Sequence, residues 1–365
     1  MDFIVTEEQK ALAEAVRGVL ARHGKPAAEA GRSAAPAAHD PELWGALVEL
    51  GLPAMPWSED DGGVGAEFAD LAAAATELGR SRVQVPLAEI VAAGAMVRRC
   101  ASDELRTQIL GGISEGEALV VPALTEPLRA WTQPFPAPVE VRAEQAGDGW
   151  TLTGSKAPVR YAPAATHLVA TAAVDGTTAL FLVESPGVSV EQVDFDSTPA
   201  TLLATGELAE QAVQEGIALG AVLLCAEAVG AMGEALTMTA DYLRTRQQFG
   251  VKLETFQALT HRASDMYAAL ELSRSATLFA AMVADVQPLD IATVLRARVV
   301  VDKAAKLIGR DAIQMHGGIG VTAEFPVGHF TARLRAITHT WGDSRAHLAQ
   351  LGSRVGDYRT VEVLA

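Results

Sequence analysis

The chain has 365 residues, and 49% of them are hydrophobic, which is enough apolar material for a large core divided among two or three structural units. Its 45 acidic and 29 basic residues give a formal net charge of −16, so its surface repels phosphate groups and we expect neither nucleic acid nor a membrane as partner. Two cysteines exclude a disulfide framework, and a charged N-terminus without a signal-peptide core predicts a cytoplasmic protein.

Residues 1–118 have helical periodicity. Thr6 stands before Glu7, Glu8 and Gln9, an order typical of a helix N-cap followed by an acidic first turn. In the segment ALAEAVRGVLARH the apolar residues then recur at helical spacing. We interpret this part of the chain as an N-terminal helical domain.

Residues 119–210 differ in composition from what precedes them. They contain proline residues and β-branched runs with partial alternation, which is typical of strands. Asp148-Gly149 and Asp175-Gly176 each separate two such runs, and Asp-Gly accepts the positive φ values of tight hairpin turns. The pattern predicts a middle antiparallel β-domain.

Residues 211–365 return to helical periodicity. Three long stretches carry apolar residues that step by three and four, which is typical of helices in an antiparallel bundle. Representative positions are Leu219, Leu223 and Ala226 in the first stretch, Leu259, Ala263 and Met266 in the second, and Val301, Ala305 and Ile308 in the third.

Single motifs carry little functional information by themselves. The GGIG run at Gly317 to Gly320 follows a predicted helix and lacks the preceding strand of a dinucleotide-binding fingerprint, so alone it indicates a helix C-cap and turn. The histidines lack the spacing of metal ligands, and no GxSxG elbow indicates acyl-enzyme chemistry.

Several motifs taken together are more specific. The chain contains Arg-x-x-Phe-Gly, a Gln eleven residues after that Arg, and then Gln-x-x-Gly-Gly-x-Gly-x-x-x-Glu. These residues are Arg246, Phe249, Gly250, Gln257, Gln314, Gly317, Gly318, Gly320 and Glu324. With the segments GGVGAEFADL, ALTEP and LTGSK in the same order, the chain resembles the acyl-CoA dehydrogenase family over nearly its whole length.

This resemblance implies an α+β acyl-CoA dehydrogenase fold with an N-terminal helical domain (1–118), a middle antiparallel β-domain (119–210) and a C-terminal four-helix bundle (211–365) that mediates oligomerisation. It also implies FAD as cofactor. The residues implied to contact FAD are Arg246, Phe249, Gln257, Gln314, Gly317 and Gly318.

The residue types suit that role. A guanidinium such as that of Arg246 can bind a pyrophosphate through two hydrogen bonds, and glycines allow a cofactor to approach the backbone closely. The amides of Gln257 and Gln314 can donate and accept hydrogen bonds. As an alternative, Arg246 interacts only with the dipole of its helix, which would explain that residue but not the set.

The family's catalytic base does not follow from the resemblance. Enzymes of this family remove the α-proton of an acyl-CoA with a carboxylate and transfer the β-hydrogen to flavin as hydride. Motif alignment brings the two known base positions onto Trp341 and Gly220, and neither residue can accept a proton. Asp343 and Glu227 are the alternative bases, although a solvated or salt-bridged surface carboxylate is the better explanation of each.

Other departures follow a pattern. Thr125-Glu126-Pro127 continues as Leu128-Arg129-Ala130-Trp131 instead of the family's Gly-Ser-Asp loop. In the family, residues from two subunits meet at each flavin. The positions of the subunit that owns the site, here called the own-site set, are occupied by Thr125, Pro158, Arg160, Trp341 and Asp343, of which only Thr125 matches. The neighbour's positions, here called the neighbour-site set, all match: Arg246, Phe249, Gln257, Gln314, Gly317 and Gly318.

The sequence is therefore identified as similar to the non-catalytic subunit of heteromeric acyl-CoA dehydrogenases, of the kind that degrade steroid side chains in actinobacteria. This implies an α2β2 assembly with a homologous subunit, an acyl-CoA substrate and electron-transferring flavoprotein as electron acceptor. Two rival hypotheses are a homotetrameric dehydrogenase that uses Asp343 or Glu227 as base, and an acyl-CoA-binding or scaffold protein without redox chemistry.

Overall fold

The computed structural model describes residues 6–23, 39–128 and 139–357. Within these ranges the helices are α1 (Glu7–His23), α2 (Pro41–Glu49), α3 (Phe68–Arg80), α4 (Leu87–Cys100), α5 (Asp103–Glu115), α6 (Gly206–Thr245), α7 (Gln257–Val286), α8 (Ile291–His316), α9 (Val327–Ile337) and α10 (Ser344–Ser353). The strands are β1 (Val120–Ala123), β2 (Arg142–Ala146), β3 (Gly149–Lys156), β4 (His167–Val174), β5 (Thr177–Glu184), β6 (Val193–Thr205), β7 (Gln247–Gln248) and β8 (Val251–Lys252). The order of helices, sheet and helices confirms the predicted α+β class, while the domain boundaries at 118 and 210 stay a prediction.

The N-terminal helix begins where its cap predicts. The backbone N–H of Gln9 donates to Thr6 Oγ1 at 3.2 Å, and the backbone N–H of Thr6 donates to Gln9 Oε1 at 3.2 Å. This reciprocal pair is a capping box, which satisfies two backbone donors at the start of α1.

The middle sheet has six strands in the order β1-β4-β2-β3-β6-β5, and β5 also pairs with β4, so the sheet closes on itself. Most neighbours are antiparallel, as the sequence predicts, but β1 and β2 run parallel to β4. Parallel neighbours need a long crossover, and the chain between β1 and β4 supplies one. The prediction of a wholly antiparallel sheet is therefore wrong at these two pairings.

The two predicted hairpins form, one of them shifted. Asp175 and Gly176 have φ values of 49° and 79° and join β4 to β5 in a turn with two left-handed residues. In the other hairpin Ala146 pairs with Gly149, so the turn residues are Gly147 and Asp148. Gly147 has a φ of 61°, so the left-handed residue of the turn lies before Asp148 and not after it. Gly149 is therefore the first residue of β3.

The C-terminal part is the predicted bundle, formed by α6, α7, α8 and α9. The 40 residues of α6 give it a length of about 60 Å, and it also packs against α3 and α4 of the N-terminal part. By length and composition α6 could cross a membrane, but 89% of its most apolar window is buried inside the protein. It is therefore the central core helix that joins the N-terminal helices to the bundle.

Candidate functional site

A cavity of about 830 Å³ lies between the sheet, α4 and the segment that joins α9 to α10. Its volume is within the range of small-molecule sites. The whole own-site set lines it: Thr125, Pro158, Arg160, Trp341 and Asp343. Residues far apart in the sequence thus meet around one space, and that space is where the resemblance implies the chain's own flavin site.

An ion pair forms one wall of this cavity. Arg160 Nε donates to Glu89 Oε1 at 2.7 Å, and their side chains are only 16% and 3% exposed. The Arg160 guanidinium also lies 5.5 Å from the ring centre of Tyr161. The resemblance implies a small hydroxyl side chain against the flavin ring at this position, and Arg160 replaces it with a larger, charged side chain.

The two positions of the family's base face each other in the structure. A Cβ atom built on Gly220 of α6 would lie 2.5 Å from Cζ3 of the Trp341 indole, so only glycine allows the ring to lie there. Trp341 also has a φ of 54°, which bulky residues rarely adopt. The indole therefore occupies both positions, and neither holds a proton acceptor.

Glu227, one alternative base, is held in a buried ion pair between α6 and α9. Its carboxylate accepts from Arg333 Nε at 2.5 Å and from Arg333 Nη2 at 2.7 Å. The two side chains are 12% and 9% exposed. Both carboxylate oxygens are therefore occupied by Arg333, so Glu227 joins two helices and is not free to act as a base.

Asp343, the other alternative base, caps α10. Its Oδ1 accepts from the backbone N–H groups of Ala346 and Arg345, both at 3.0 Å. These hydrogen bonds, that from Ala346 above all, hold the pKa of Asp343 below its ordinary value. A carboxylate with a lowered pKa is a weak proton acceptor. Asp343 therefore lines the cavity as the N-cap of α10 and is poorly suited to act as the base.

The neighbour-site set lies elsewhere, and none of its residues lines the cavity. Arg246 follows α6, Gln257 begins α7, and Gln314 is in the last turn of α8. Because α6 ends beside the start of α7, and α8 runs antiparallel to α7, all six residues meet at one end of the bundle. The set is Arg246, Phe249, Gln257, Gln314, Gly317 and Gly318.

All six residues are exposed to solvent, and two of them have few interactions with the rest of the chain. Within the described residues Arg246 forms no ion pair and no side-chain hydrogen bond. Phe249 is 90% exposed at the tip of the β7–β8 hairpin, where it has a φ of 52°. Its ring has one aromatic contact, with Phe256 at 6.2 Å between ring centres. The hairpin therefore presents a large apolar ring to solvent at a left-handed position.

Gly317 and Gly318 complete this surface. Gly317 has a φ of 64° and a ψ of −140°, a conformation essentially restricted to glycine, and it forms the predicted C-cap of α8. A Cβ built on either glycine would meet nothing within 4 Å, so the backbone here is open to a ligand. A free guanidinium, two amides and an open glycine backbone together fit the pyrophosphate and adenosine groups of FAD.

Two ion pairs of the middle region escape the sequence analysis. Lys156 Nζ donates to Glu126 Oε1 at 2.6 Å, which joins the LTGSK and ALTEP motifs; burial lowers the pKa of Lys156 to about 8. The other is the pair of Arg160 with Glu89. Glu89 is the one charged residue within the apolar run LAEIVAAGAMV of α4, and that isolation is a signal for a buried partner.

The structure describes only the first residue of the altered loop that follows Thr125-Glu126-Pro127. Leu128 is fully exposed with a φ of 59°, while Arg129, Ala130 and Trp131 lie outside the described residues. Across the three described ranges, no group of three His, Cys, Asp or Glu side chains could hold a metal ion.

Comparisons with known proteins agree with the motif analysis. The family model for the N-terminal domain of acyl-CoA dehydrogenases matches residues 6–117, and that for the C-terminal domain matches residues 211–356. Acyl-CoA dehydrogenase IpdE2 of Mycobacterium tuberculosis is 29% identical over 364 residues, which cover 96% of this chain and 98% of that protein.

Two solved structures are similar over the whole fold. The ChsE4–ChsE5 complex from Mycobacterium tuberculosis superposes with a TM-score of 0.86 at 25% identity, covering 99% of this chain and 100% of the other. A variant of the Tcur3481–Tcur3483 steroid ACAD has a TM-score of 0.83 at 29% identity, with 96% and 98% covered. Fold, motifs and both family domains therefore agree: this chain belongs to the acyl-CoA dehydrogenase family, oxidoreductases that act on CH–CH bonds and bind FAD.

Proposed function

We propose that the chain is the subunit of a heteromeric acyl-CoA dehydrogenase that lacks the catalytic base and completes the FAD site of a homologous partner. One observation carries the proposal. The chain presents a neighbour-site set that is intact and exposed at one end of the bundle, while its own-site set surrounds a cavity lined by Trp341 and by the Arg160–Glu89 pair.

The reaction is the α,β-dehydrogenation of an acyl-CoA thioester. The partner subunit would supply the carboxylate that removes the α-proton, and bound FAD would supply the capacity to take up the β-hydrogen as hydride. This chain supplies binding groups. Arg246 neutralises pyrophosphate charge, Gln257 and Gln314 donate amide hydrogen bonds, and the open backbone at Gly317 and Gly318 admits the cofactor.

The exposed face of α7 supports an assembly. Leu272, Phe279 and Val286 recur every seven residues and are 60%, 40% and 65% exposed. The small residues Ala268 and Ser275 lie beside this stripe at heptad spacing, which allows a second long helix to approach closely. We propose that a homologous subunit covers this face in an α2β2 tetramer; the relatives named as two-protein assemblies support the heteromeric part of this proposal.

The proposed substrate class comes from a relative, and the proposed electron acceptor comes from the family resemblance. The Tcur3481–Tcur3483 protein is named a steroid ACAD, so we propose a bulky, ring-bearing acyl-CoA as substrate. We also propose electron-transferring flavoprotein as the acceptor and the cytoplasm as the location.

The two rival hypotheses have weaker support. A homotetramer would need Glu227 or Asp343 as base, yet Glu227 is paired with Arg333 and Asp343 caps α10. A scaffold without redox chemistry leaves the unpaired Arg246 and the open glycine turn without a ligand.

Removal of Arg246 tests the proposal. In the complex with its partner, Arg246→Ala should weaken FAD binding by about one to two orders of magnitude, because charge-assisted hydrogen bonding to the pyrophosphate is lost. Gel filtration should show an intact assembly, and absorbance should show less flavin per complex.

The matched control is Arg244→Ala, which removes an exposed guanidinium two residues away on the same helix end. The double variant Glu89→Gln with Arg160→Gln alters the chain's own cavity without leaving an unpaired buried charge. Both should retain normal flavin. Loss of flavin in the double variant, with full flavin in Arg246→Ala, would refute the proposal.

A further inference from the structure

Three aromatic rings pack together beneath the neighbour-site set. The ring centre of His316, the last residue of α8, lies 4.6 Å from that of Tyr242 on α6 and 4.8 Å from that of Phe325. Tyr242 and Phe325 meet edge to face at 6.4 Å. His316 is 3% exposed, so its ring fills the junction between α6, α8 and the segment that leads into α9.

Each side of this cluster adjoins residues that the proposed function assigns to FAD. Tyr242 lies one helical turn before Arg246, and its carbonyl accepts from the Arg246 backbone N–H at 2.9 Å. His316 lies between Gln314 and Gly317 in the sequence. The spacing between the Arg246 guanidinium and the glycine turn is therefore set by how these two helix ends pack.

The His316 ring is held in one orientation. Its Nδ1 donates to the carbonyl of Ala312, four residues earlier, at 2.8 Å. This bond fixes the tautomer, because the carbonyl of Ala312 can only accept and Nδ1 must therefore carry the proton. The Nδ1 bond is what histidine adds, and it anchors the ring to the end of α8.

We propose that His316 is a positioning residue: it sets the distance between Arg246 and the Gly317–Gly318 turn, so that both engage the same FAD of the partner subunit. The inference rests on the proposed function. It concerns a residue that touches neither the cofactor nor the partner, since the ring is buried within this chain.

The test uses the complex with the partner subunit. His316→Ala should weaken flavin retention by about tenfold, the scale expected for losing two aromatic contacts, while gel filtration shows intact assembly. It should also change the visible circular dichroism of the remaining flavin, because the cofactor is held differently. His316→Phe keeps the ring contacts and should restore most of the flavin. Full retention and an unchanged flavin spectrum in His316→Ala would overturn the inference.

Arg246→Ala in the same complex separates this inference from the function on which it rests. Loss of flavin in Arg246→Ala with full retention in His316→Ala rejects the positioning role and leaves the donated site standing. Full retention in Arg246→Ala rejects the donated site itself. Where His316→Ala does not assemble, Phe325→Leu removes one ring contact without touching α8; it should also lower flavin retention, and unchanged retention would contradict the positioning role.

Discussion

At the level of one side chain, Trp341 supports our proposal that the chain has no catalysis of its own. The indole lies against Gly220, so a carboxylate restored at position 341 would still face the Arg160–Glu89 pair across the cavity. We expect the purified Trp341→Glu chain to remain inactive toward acyl-CoA in an assay with an artificial electron acceptor. Substantial oxidation by this single variant would mean that the cavity accepts flavin after all.

His347 on α10 should make stability depend on pH. It is 4% exposed, and burial, together with the nearby charge of Arg298, lowers its pKa to about 3. Between about pH 6.5 and 3 the unfolded chain binds the proton more readily, so the free energy of unfolding should fall as pH falls, by up to about 1.4 kcal/mol per pH unit for one proton.

His347→Gln removes this titration. Urea unfolding of both proteins between pH 7 and 5 should show a smaller pH dependence in the variant. Parallel curves for the two proteins would show that His347 binds its proton equally well in the folded and unfolded states.

At the scale of elements, α7 has an apolar face that is exposed to solvent in the single chain. Phe279→Glu places a charge in the middle of the stripe Leu272–Phe279–Val286, and we expect it to block assembly with the partner without unfolding the chain. Light scattering of the co-expressed proteins measures assembly, and circular dichroism measures folding. Leu208→Glu, at an exposed apolar position on α6, is the control and should assemble normally.

Sequence reasoning succeeded for elements whose signals are local. The capping box at Thr6, the Asp175-Gly176 hairpin and the helical stripes of the bundle each depend on residues a few positions apart. It failed for the Glu89–Arg160 pair, whose members are 71 residues apart, and for the parallel pairing of β1 with β4. Both depend on the three-dimensional path of the chain, which local patterns do not contain.

At the scale of the whole molecule, our proposal gives one chain two unequal halves of flavin sites. The neighbour-site set at one end of the bundle is intact, and the own-site set around the cavity is altered. Motif spacing predicted which residues belong to each set, but only the fold separates them in space. Such a chain can complete a site on a partner while it holds no complete site of its own.

Flavin content tests most directly whether the chain completes a partner's flavin site and holds none of its own. We expect the chain expressed alone to purify without flavin, and the co-expressed complex with its homologous partner to contain about one flavin per pair of chains, since a single donated site serves each pair. Absorbance of released flavin against protein concentration gives the ratio. A chain that purifies alone with about one flavin per chain would contradict the account.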